Sequence, residues 1–423
     1  MNKFNQLELF EAVEEAYAEA GVLSQQQLYD RVADNLNISP NDPQYYGMAG
    51  SKKHNLLYRQ IRFIQQSLKT KKLLVNVDRG IWRYEGKKKE LEMPVEGKSI
   101  LALSTKLGVV IASDCRDVFD NNVIEGTVDL VVSSPPYLLN EELEYGSIGY
   151  DPEEWVEFIV SVVKKIIPRL SQGASICLNV GNDRFLDKSP ARHLQNELLA
   201  VELWRLGLFK MDIMPWESNK PPTPTIHACV NSEQLLSAFE LLLWFTNDPL
   251  KVRSCNKRVR VPHSKAHTAF VKSGGTRRAS ANRRSTHRQK VGDYANTDLS
   301  LGAIRRNILK ISNKCKRNEL TNAYARDVLK QQPHPAKFPY ELVEVLVKFL
   351  SRPGDLVVDI FGGTGTVGQV CEDHSRKWVV IEKMKQYIEQ SFIRFAHVDD
   401  DVYYNPAFAI PSIESQTKYR VYH

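Results

Sequence analysis

Two short stretches carry residues that could do chemistry. At 133–137 the chain reads SSPPY, directly after the apolar run Leu130-Val131-Val132. Such a run suits a strand covered on both faces. Pro135 and Pro136 forbid its continuation, because each fixes its own φ and lacks an N–H. Pro135 also biases Ser134 towards extended backbone. The strand is thus followed by a stiff loop that presents a hydroxyl, bare carbonyls and the ring of Tyr137. A plain strand cap with a Pro-Pro turn would look the same, so the rest of the chain must decide between them.

The second stretch, DLVVDIFGGTGTVGQ at 355–369, reads as a strand ending in Asp359, a glycine loop, and a helix from about Thr366. Glycines at such a turn let the backbone approach a ligand closely. About twenty residues on, KWVVIEK ends another strand in Glu382, whose carboxylate can accept hydrogen bonds from the two hydroxyls of a ribose. The loop lacks the Gly-Lys-Ser/Thr ending of a phosphate cradle, which disfavours a P-loop NTPase. Asp359 sits poorly beside a pyrophosphate and suits an ammonium or amine. These residues imply a nucleoside that carries a positive charge.

The elements that must position them alternate from Ser99 onward. Strand candidates are Gly108–Ala112, Val128–Ser133 and Ala174–Val180, with a helix from Pro152 to Leu170 between the last two. FKMDIMPW and EQLLSAFELLLWF continue the series, and FPYELVEVLVKFL, DLVVDIF and KWVVIE resume it further on. This alternation predicts an α/β fold with a largely parallel sheet. Upstream, helical spacing over 6–21, a helix from Ser24, the basic helix NLLYRQIRFIQQSLKTK and the hairpin KLLVNVDRGIWRYE resemble a winged helix-turn-helix, a pattern shared by small helical bundles. GKKKE at 86–90 reads as a linker.

The 423 residues suffice for two or three domains, and 42% hydrophobic with 25% charged is ordinary for a soluble chain. The amino terminus has no apolar signal core and no segment approaches a membrane span, so the expected location is the cytoplasm, away from any membrane. Six cysteines, at 115, 177, 229, 255, 315 and 371, form no CxxC pair and are expected as reduced thiols. The net charge of +7 is concentrated: Lys251 to Arg317 holds about nineteen Lys and Arg against Asp293 and Asp298 alone. A basic field of that size is the footprint of a polyanion-binding surface, or else a solvated flexible loop.

SSPPY and DIFGGTG, in that order and separated by a basic segment, resemble the permuted, β-class DNA amino-methyltransferases. HPAKFPYELVEVLVKFL at 334–350 resembles the segment that precedes the family's glycine loop, and SAFELLLWF its strand near the end of the catalytic half. The resemblance covers roughly 99–400. It implies a Rossmann-like S-adenosylmethionine-dependent sheet with four parts: a winged-helix-like domain at 1–90, a catalytic half at 99–248, a basic target-recognition region at 249–330 and a cofactor half at 331–400. A tail follows at 401–423. Asp359, Phe361, Gly363 and Gly365 would line the methionine side of S-adenosyl-L-methionine, Glu382 would hold the ribose, and Asp114 would approach the adenine.

Ser134, Pro135, Pro136 and Tyr137 would form the catalytic loop. In the family SPPY is associated chiefly with the N4 amine of cytosine, with adenine N6 as the alternative. A non-catalytic winged-helix regulator is the reading from another class. An exocyclic amine is a poor nucleophile because its lone pair is delocalised into the ring. Acceptors at Ser134 Oγ and the Pro135 carbonyl would localise that pair, and the sulfonium already activates the methyl, so neither a metal nor a covalent intermediate is expected. The base must be flipped from double-stranded DNA, and Tyr137 would stack on it. Arg277, Arg278, Arg283, Arg284 and Arg288 are the expected DNA contacts. A restriction endonuclease acting on the same site is the expected functional partner, with the enzyme itself a monomer or homodimer.

Overall fold

The computed structural model describes the chain except residues 1–5, 50–51, 71–73, 79, 85–96, 125, 139–150, 187–188, 220–224, 276–293, 295, 399–401, 413–414 and 416–423. The GKKKE segment and the five arginines between 277 and 288 therefore lie outside the described residues. The chain divides into two compact units, Met1–Glu90 and Leu91–His423.

The first unit contains α1 (Gln6–Ala20), β1 (Val22–Ser24), α2 (Gln25–Asn35), β2 (Tyr46–Ala49), β3 (Lys52–Asn55), α3 (Leu56–Thr70), β4 (Leu74–Asp78) and β5 (Ile81–Tyr84). Ser24 starts α2 through a capping box: its Oγ accepts from Gln27 N while Gln27 Oε1 accepts from Ser24 N. The 3.6-residue spacing brings Leu9, Val13 and Tyr17 of α1 against Leu28 and Val32 of α2 and Leu57, Ile61 and Leu68 of α3. The sequence did not signal β1, which makes the terminal hairpin a three-stranded sheet of order β1-β5-β4, nor the β2-β3 hairpin.

The second unit is a sandwich of helices on one large sheet. Its strands are β6 (Ile100–Ser104), β7 (Gly108–Ala112), β8 (Val128–Ser133), β9 (Leu170–Gly181), β10 (Phe209–Glu217), β11 (Phe239–Thr246), β12 (Leu309–Lys310), β13 (Leu356–Asp359), β14 (Lys377–Glu382) and β15 (Tyr403–Tyr404). Its helices are α4 (Cys115–Asp120), α5 (Pro152–Ile166), α6 (Gln195–Arg205), α7 (Ile226–Cys229), α8 (Lys265–Lys272), α9 (Lys316–Asp327), α10 (Tyr340–Leu350), α11 (Thr366–Asp373) and α12 (Lys385–Ser391). The sheet order is β12-β10-β11-β9-β8-β13-β14-β7-β6-β15. Its centre, β9 to β7, is parallel, whereas β11 is antiparallel to both of its neighbours and β6 is antiparallel to β7. This is the Rossmann-like α/β sheet that the alternation predicts, with antiparallel margins.

Every residue of β8 is buried because the sheet is covered on both faces. Leu130 and Val132 pack on one side with Leu342, Val343 and Leu346 of α10 and Val367 and Val370 of α11. Val131 points to the other side, among Val118 of α4, Trp155 and Ile159 of α5, and Leu199 and Leu203 of α6. One expected boundary is wrong: the helix from Pro152 stops at Ile166, a 3-10 turn spans Ile167–Arg169, and Leu170 already begins β9. Pro168 has no N–H to give an α-helix, which accounts for the early end.

The basic segment, in its described parts, is partly structural. Arg253 pairs with Asp129 at 3.1 Å and Asp355 at 2.8 Å, and Arg317 pairs with Asp373. Arg258 donates to the carbonyls of Ser351 and Phe349, where it satisfies the C-terminal end of α10. Arg260 and Arg305 donate to the carbonyls of Gly302 and Val259. The exposed cations left for another ligand include Lys257, Lys265, Lys272, Arg306, Lys314 and Lys316.

A buried guanidinium fastens the end of the segment to the glycine loop. Arg394, 2% exposed, donates to Thr364 O at 2.6 Å, Gln369 Oε1 at 2.9 Å and Asn318 Oδ1 at 2.7 Å. Arg394→Met keeps the bulk but removes the donor that these buried acceptors share. It is expected to cost about 3 kcal/mol of stability, read as a lower urea midpoint for the full chain; an unchanged midpoint would show that the network contributes nothing.

Candidate active site

Parallel strands bring their C-terminal ends to one edge of the sheet, and the loops after β7, β8, β13 and β14 meet there around a cavity of about 380 Å³. The cavity is lined by Asp114, Ser134, Pro135, Pro136, Tyr137, Asp359, Phe361, Gly363 and Glu382. Residues read from two distant stretches of sequence thus face one another. Gly365 lies outside this lining. With φ of 74° it caps the start of α11, and a Cβ there would come within 3.1 Å of Ser391 Cβ. Its conformation is one that favours glycine. Gly362 is fixed by packing, since a Cβ would meet Val380 Cγ1 at 2.2 Å.

The two halves are joined by a bond that the sequence did not signal. Ser133, last residue of β8, donates from Oγ to Asp359 Oδ1 at 2.6 Å, and accepts from Phe361 N at 3.1 Å. Asp359 is 2% exposed, and burial pushes its carboxyl up to about 7 against the lowering effect of Ser133 and the Phe361 amide. Glu382 accepts from Gly363 N at 2.6 Å and Met384 N at 2.7 Å. Burial likewise pushes its carboxyl up to about 7, with Asp359 adding to the rise.

The wall beyond Glu382 is aromatic and ionic. The Phe361 ring centre lies 5.8 Å from that of Phe158, and the Arg116 guanidinium sits 5.4 Å from the same Phe158 ring centre. Arg116 Nε and Nη2 each hold an Asp114 oxygen at 2.9 Å, and Asp114 also caps α4 by accepting from Arg116 N. Burial pushes the Asp114 carboxyl up, but those bonds outweigh it and leave it below its ordinary value. The Phe361 ring is thus linked to Asp114 through Phe158 and Arg116.

HPAKF supplies the opposite wall through His334, Lys337 and Phe338. The Lys337 ammonium donates to the His334 carbonyl, and burial, followed by Arg394 and Arg326, pulls it down to about 7. Burial also pulls the His334 imidazole down to about 3. Sequence reading placed this stretch only as the segment that precedes the glycine loop, with no part in the site. Its signal was a lysine held between Pro335 and Pro339, a basic group on stiffened backbone.

The SPPY loop is clamped from the sheet and from α5. Ser134 Oγ donates to the Asn179 carbonyl at 3.3 Å, and Trp155 Nε1 donates to the Pro136 carbonyl at 2.7 Å. Tyr137 Oη donates to Glu240 Oε2 at 2.7 Å and accepts from Asn179 Nδ2 at 2.7 Å. Asn179, on β9, and Glu240, on β11, stand outside any motif that the sequence displays; the β9–β11 register, which pairs Leu242 with Asn179 and Leu241 with Gly181, brings them together. Among the described residues, no cluster of His, Cys, Asp and Glu could hold a metal ion, and all six cysteines are free thiols.

Known proteins share this arrangement. The family described as DNA methylase, of N6 and N4 type, matches residues 128–392. The type II methyltransferase M.PvuII of Proteus hauseri is 28% identical over 297 residues, 70% of this chain and 85% of that protein. M.BamHII of Bacillus amyloliquefaciens, an orphan methyltransferase, is 24% identical over 63% of this chain and 88% of its own. The solved PvuII DNA methyltransferase (cytosine-N4-specific) superimposes with a TM-score of 0.54 at 24% identity, covering 75% of this chain and 93% of that one, which establishes the shared fold. The matched family spans the catalytic loop, the glycine loop and the strands between them, and the chain belongs to the N6/N4 DNA methylases, whose methyl donor is S-adenosylmethionine.

Proposed function

We propose that this DNA methyltransferase methylates the exocyclic N4 amine of a cytosine flipped out of double-stranded DNA, as the modification enzyme of a restriction–modification system. The observation that carries the choice of acceptor is the orientation of Ser134. Its hydroxyl proton is committed to the Asn179 carbonyl, so its lone pairs are free to accept from an incoming amine. The Pro135 carbonyl beside it supplies a second acceptor on backbone that the prolines hold still. Two acceptors draw the amine towards a pyramidal geometry and localise its lone pair. Tyr137, with its hydroxyl fixed by Glu240 and Asn179, stacks on the flipped base.

The cavity suits S-adenosylmethionine by its chemistry: two buried carboxyls for a cationic nucleoside, and an aromatic wall for its purine. Asp359 and the Gly363 backbone hold the amino-acid portion, Glu382 the ribose hydroxyls, and Phe361 with Phe158 the adenine next to Asp114. The cofactor supplies an electrophilic methyl. The protein aligns the amine with it and excludes water. The amine loses its proton after transfer, so no strong base is needed.

SPPY and the 28% identity to M.PvuII favour cytosine over adenine N6. A non-catalytic regulator would need neither the cavity nor the clamped loop. Arg277, Arg278, Arg283, Arg284 and Arg288, with the exposed lysines nearby, are assigned to DNA, and a restriction endonuclease of the same specificity is the assigned functional partner. In the first unit, Arg59, Arg62 and Lys69 stand exposed along α3, which supports reading residues 1–90 as winged-helix-like.

Incubation with unmethylated plasmid and S-adenosylmethionine, followed by digestion to nucleosides and mass spectrometry, is expected to yield N4-methylcytosine; N6-methyladenine would overturn the base assignment. Ser134→Ala is expected to lower kcat on the order of a hundredfold while the cofactor Kd, measured by calorimetry, stays within about threefold. Equal loss of both would remove Ser134 from its role.

The buried carboxyls give a pH dependence of definite sign. Asp359 and Glu382 both titrate higher in the folded protein than in an unfolded chain. Their stability contribution is thus present in acid and lost as pH rises through about 7. A cationic ligand favours the ionised forms. Its affinity is expected to climb as pH passes through about 7, with proton release that calorimetry in buffers of different ionisation enthalpy detects. Asp359→Asn should weaken binding and reduce the release. Proton uptake in the native protein would contradict the assignment.

A further inference from the structure

The antiparallel direction of β11 places its first residues, Phe239 and Glu240, at the same sheet edge as the catalytic loop, and Glu240 reaches the Tyr137 hydroxyl. The chain just before it carries large apolar side chains in solvent. Leu235 is 95% exposed and Val230 73%, with Leu236, Ile226 and Phe239 also exposed. A cluster of this kind beside a site marks a contact surface.

The tip is not loose. On one side Gln234 Nε2 donates to Pro190 O at 2.5 Å and Gln234 N to His227 O at 3.3 Å. On the other, Arg192 Nη2 donates to Ser237 Oγ at 3.4 Å and Asn182 Nδ2 to Phe239 O at 3.0 Å. The acid of the loop, Glu233, is taken up by His227 Nδ1 at 2.8 Å and Asn231 Nδ2 at 3.3 Å. Leu235 and Leu236 are thus held outward between two anchored points.

We infer that Leu235 is a wedge that enters the base stack of the duplex and occupies the space left by the nucleotide turned into the catalytic pocket. Flipping removes a stacked base and costs a few kcal/mol. An apolar side chain inserted between base steps offsets that cost, and leucine is among the residues that serve this way. Glu240 follows Leu235 by five positions, at most about 17 Å of chain, which keeps the wedge beside the pocket that receives the base. An exposed leucine carries no charge that would pair with phosphate, so the base stack is the part of DNA that suits it. The inference rests on the base-flipping reading above.

The test uses the full chain and two duplexes built on the mapped target site, one fully paired and one with an abasic position opposite the target cytosine. On the paired duplex, Leu235→Ala is expected to lower kcat/KM on the order of tenfold relative to wild type. On the duplex whose target is already unpaired the two proteins should agree within about twofold, and Leu235→Met should restore the paired rate. Equal loss on both duplexes, or no loss on either, overturns the wedge. A change in sedimentation state for Leu235→Ala with an unaltered ratio of rates also overturns it, by making the cluster a contact between copies of the protein. Failure of wild type to methylate either duplex would instead overturn the function proposed above.

Discussion

The hydrogen bond from Ser133 to Asp359 crosses the seam between two stretches of chain that fold into adjacent strands, β8 and β13. The pairing of Val357 with Leu130 and Val358 with Val131 sets the register, and a slip of β13 by one residue would turn its own side chains, Asp359 included, to the opposite face from Ser133. Everything at the site is referred to that seam. Ser134 leaves the sheet directly after Ser133, and the Phe361 amide that opens the glycine loop is held by the same Ser133 oxygen. Chain order therefore matters little to the chemistry, since the sheet recreates the neighbourhood.

Much of this was legible because its causes are local. An apolar run followed by two prolines can end a buried strand in few ways, and a strand running into FGGTG then a helix has a narrow set of backbone shapes. Those features located Ser134, Tyr137, Asp359 and Glu382 in one cavity. Ser133 was passed over beside its more conspicuous neighbour, because nothing in SS distinguishes the residue that bonds inward from the one that faces the cavity. Glu240 and Asn179 could not be read at all, since each is a polar residue beside an apolar run and acquires meaning only through the β9–β11 register. Charge counting had a different failing. It treats all cations alike, yet Arg253, Arg258 and Arg317 spend theirs on Asp129, a helix end and Asp373.

The site also shows how a sheet can keep two acids in poor solvent. Asp359 is held by a backbone amide and one hydroxyl and Glu382 by two backbone amides, which is too little to offset their desolvation. Under the proposed function, a ligand bearing positive charge completes what the protein leaves unfinished, and binding energy and specificity for a cationic nucleoside come from the same two groups.

The segment between β11 and α10 is pinned where it leaves and where it returns. Cys255 N bonds Phe349 O near its start, and Asn318 Nδ2 bonds Phe338 O near its end. Between those pins, apart from the short β12 that pairs with β10, the chain can lengthen or change composition at an entropic cost that grows only slowly with length, without moving β7, β8, β13 or β14. Under the proposed function, a stretch of this kind that reads DNA can drift under selection while the strands that hold the site stay fixed. New specificities can then arise by exchanging one stretch of chain, and the inherited chemistry need not be reinvented each time.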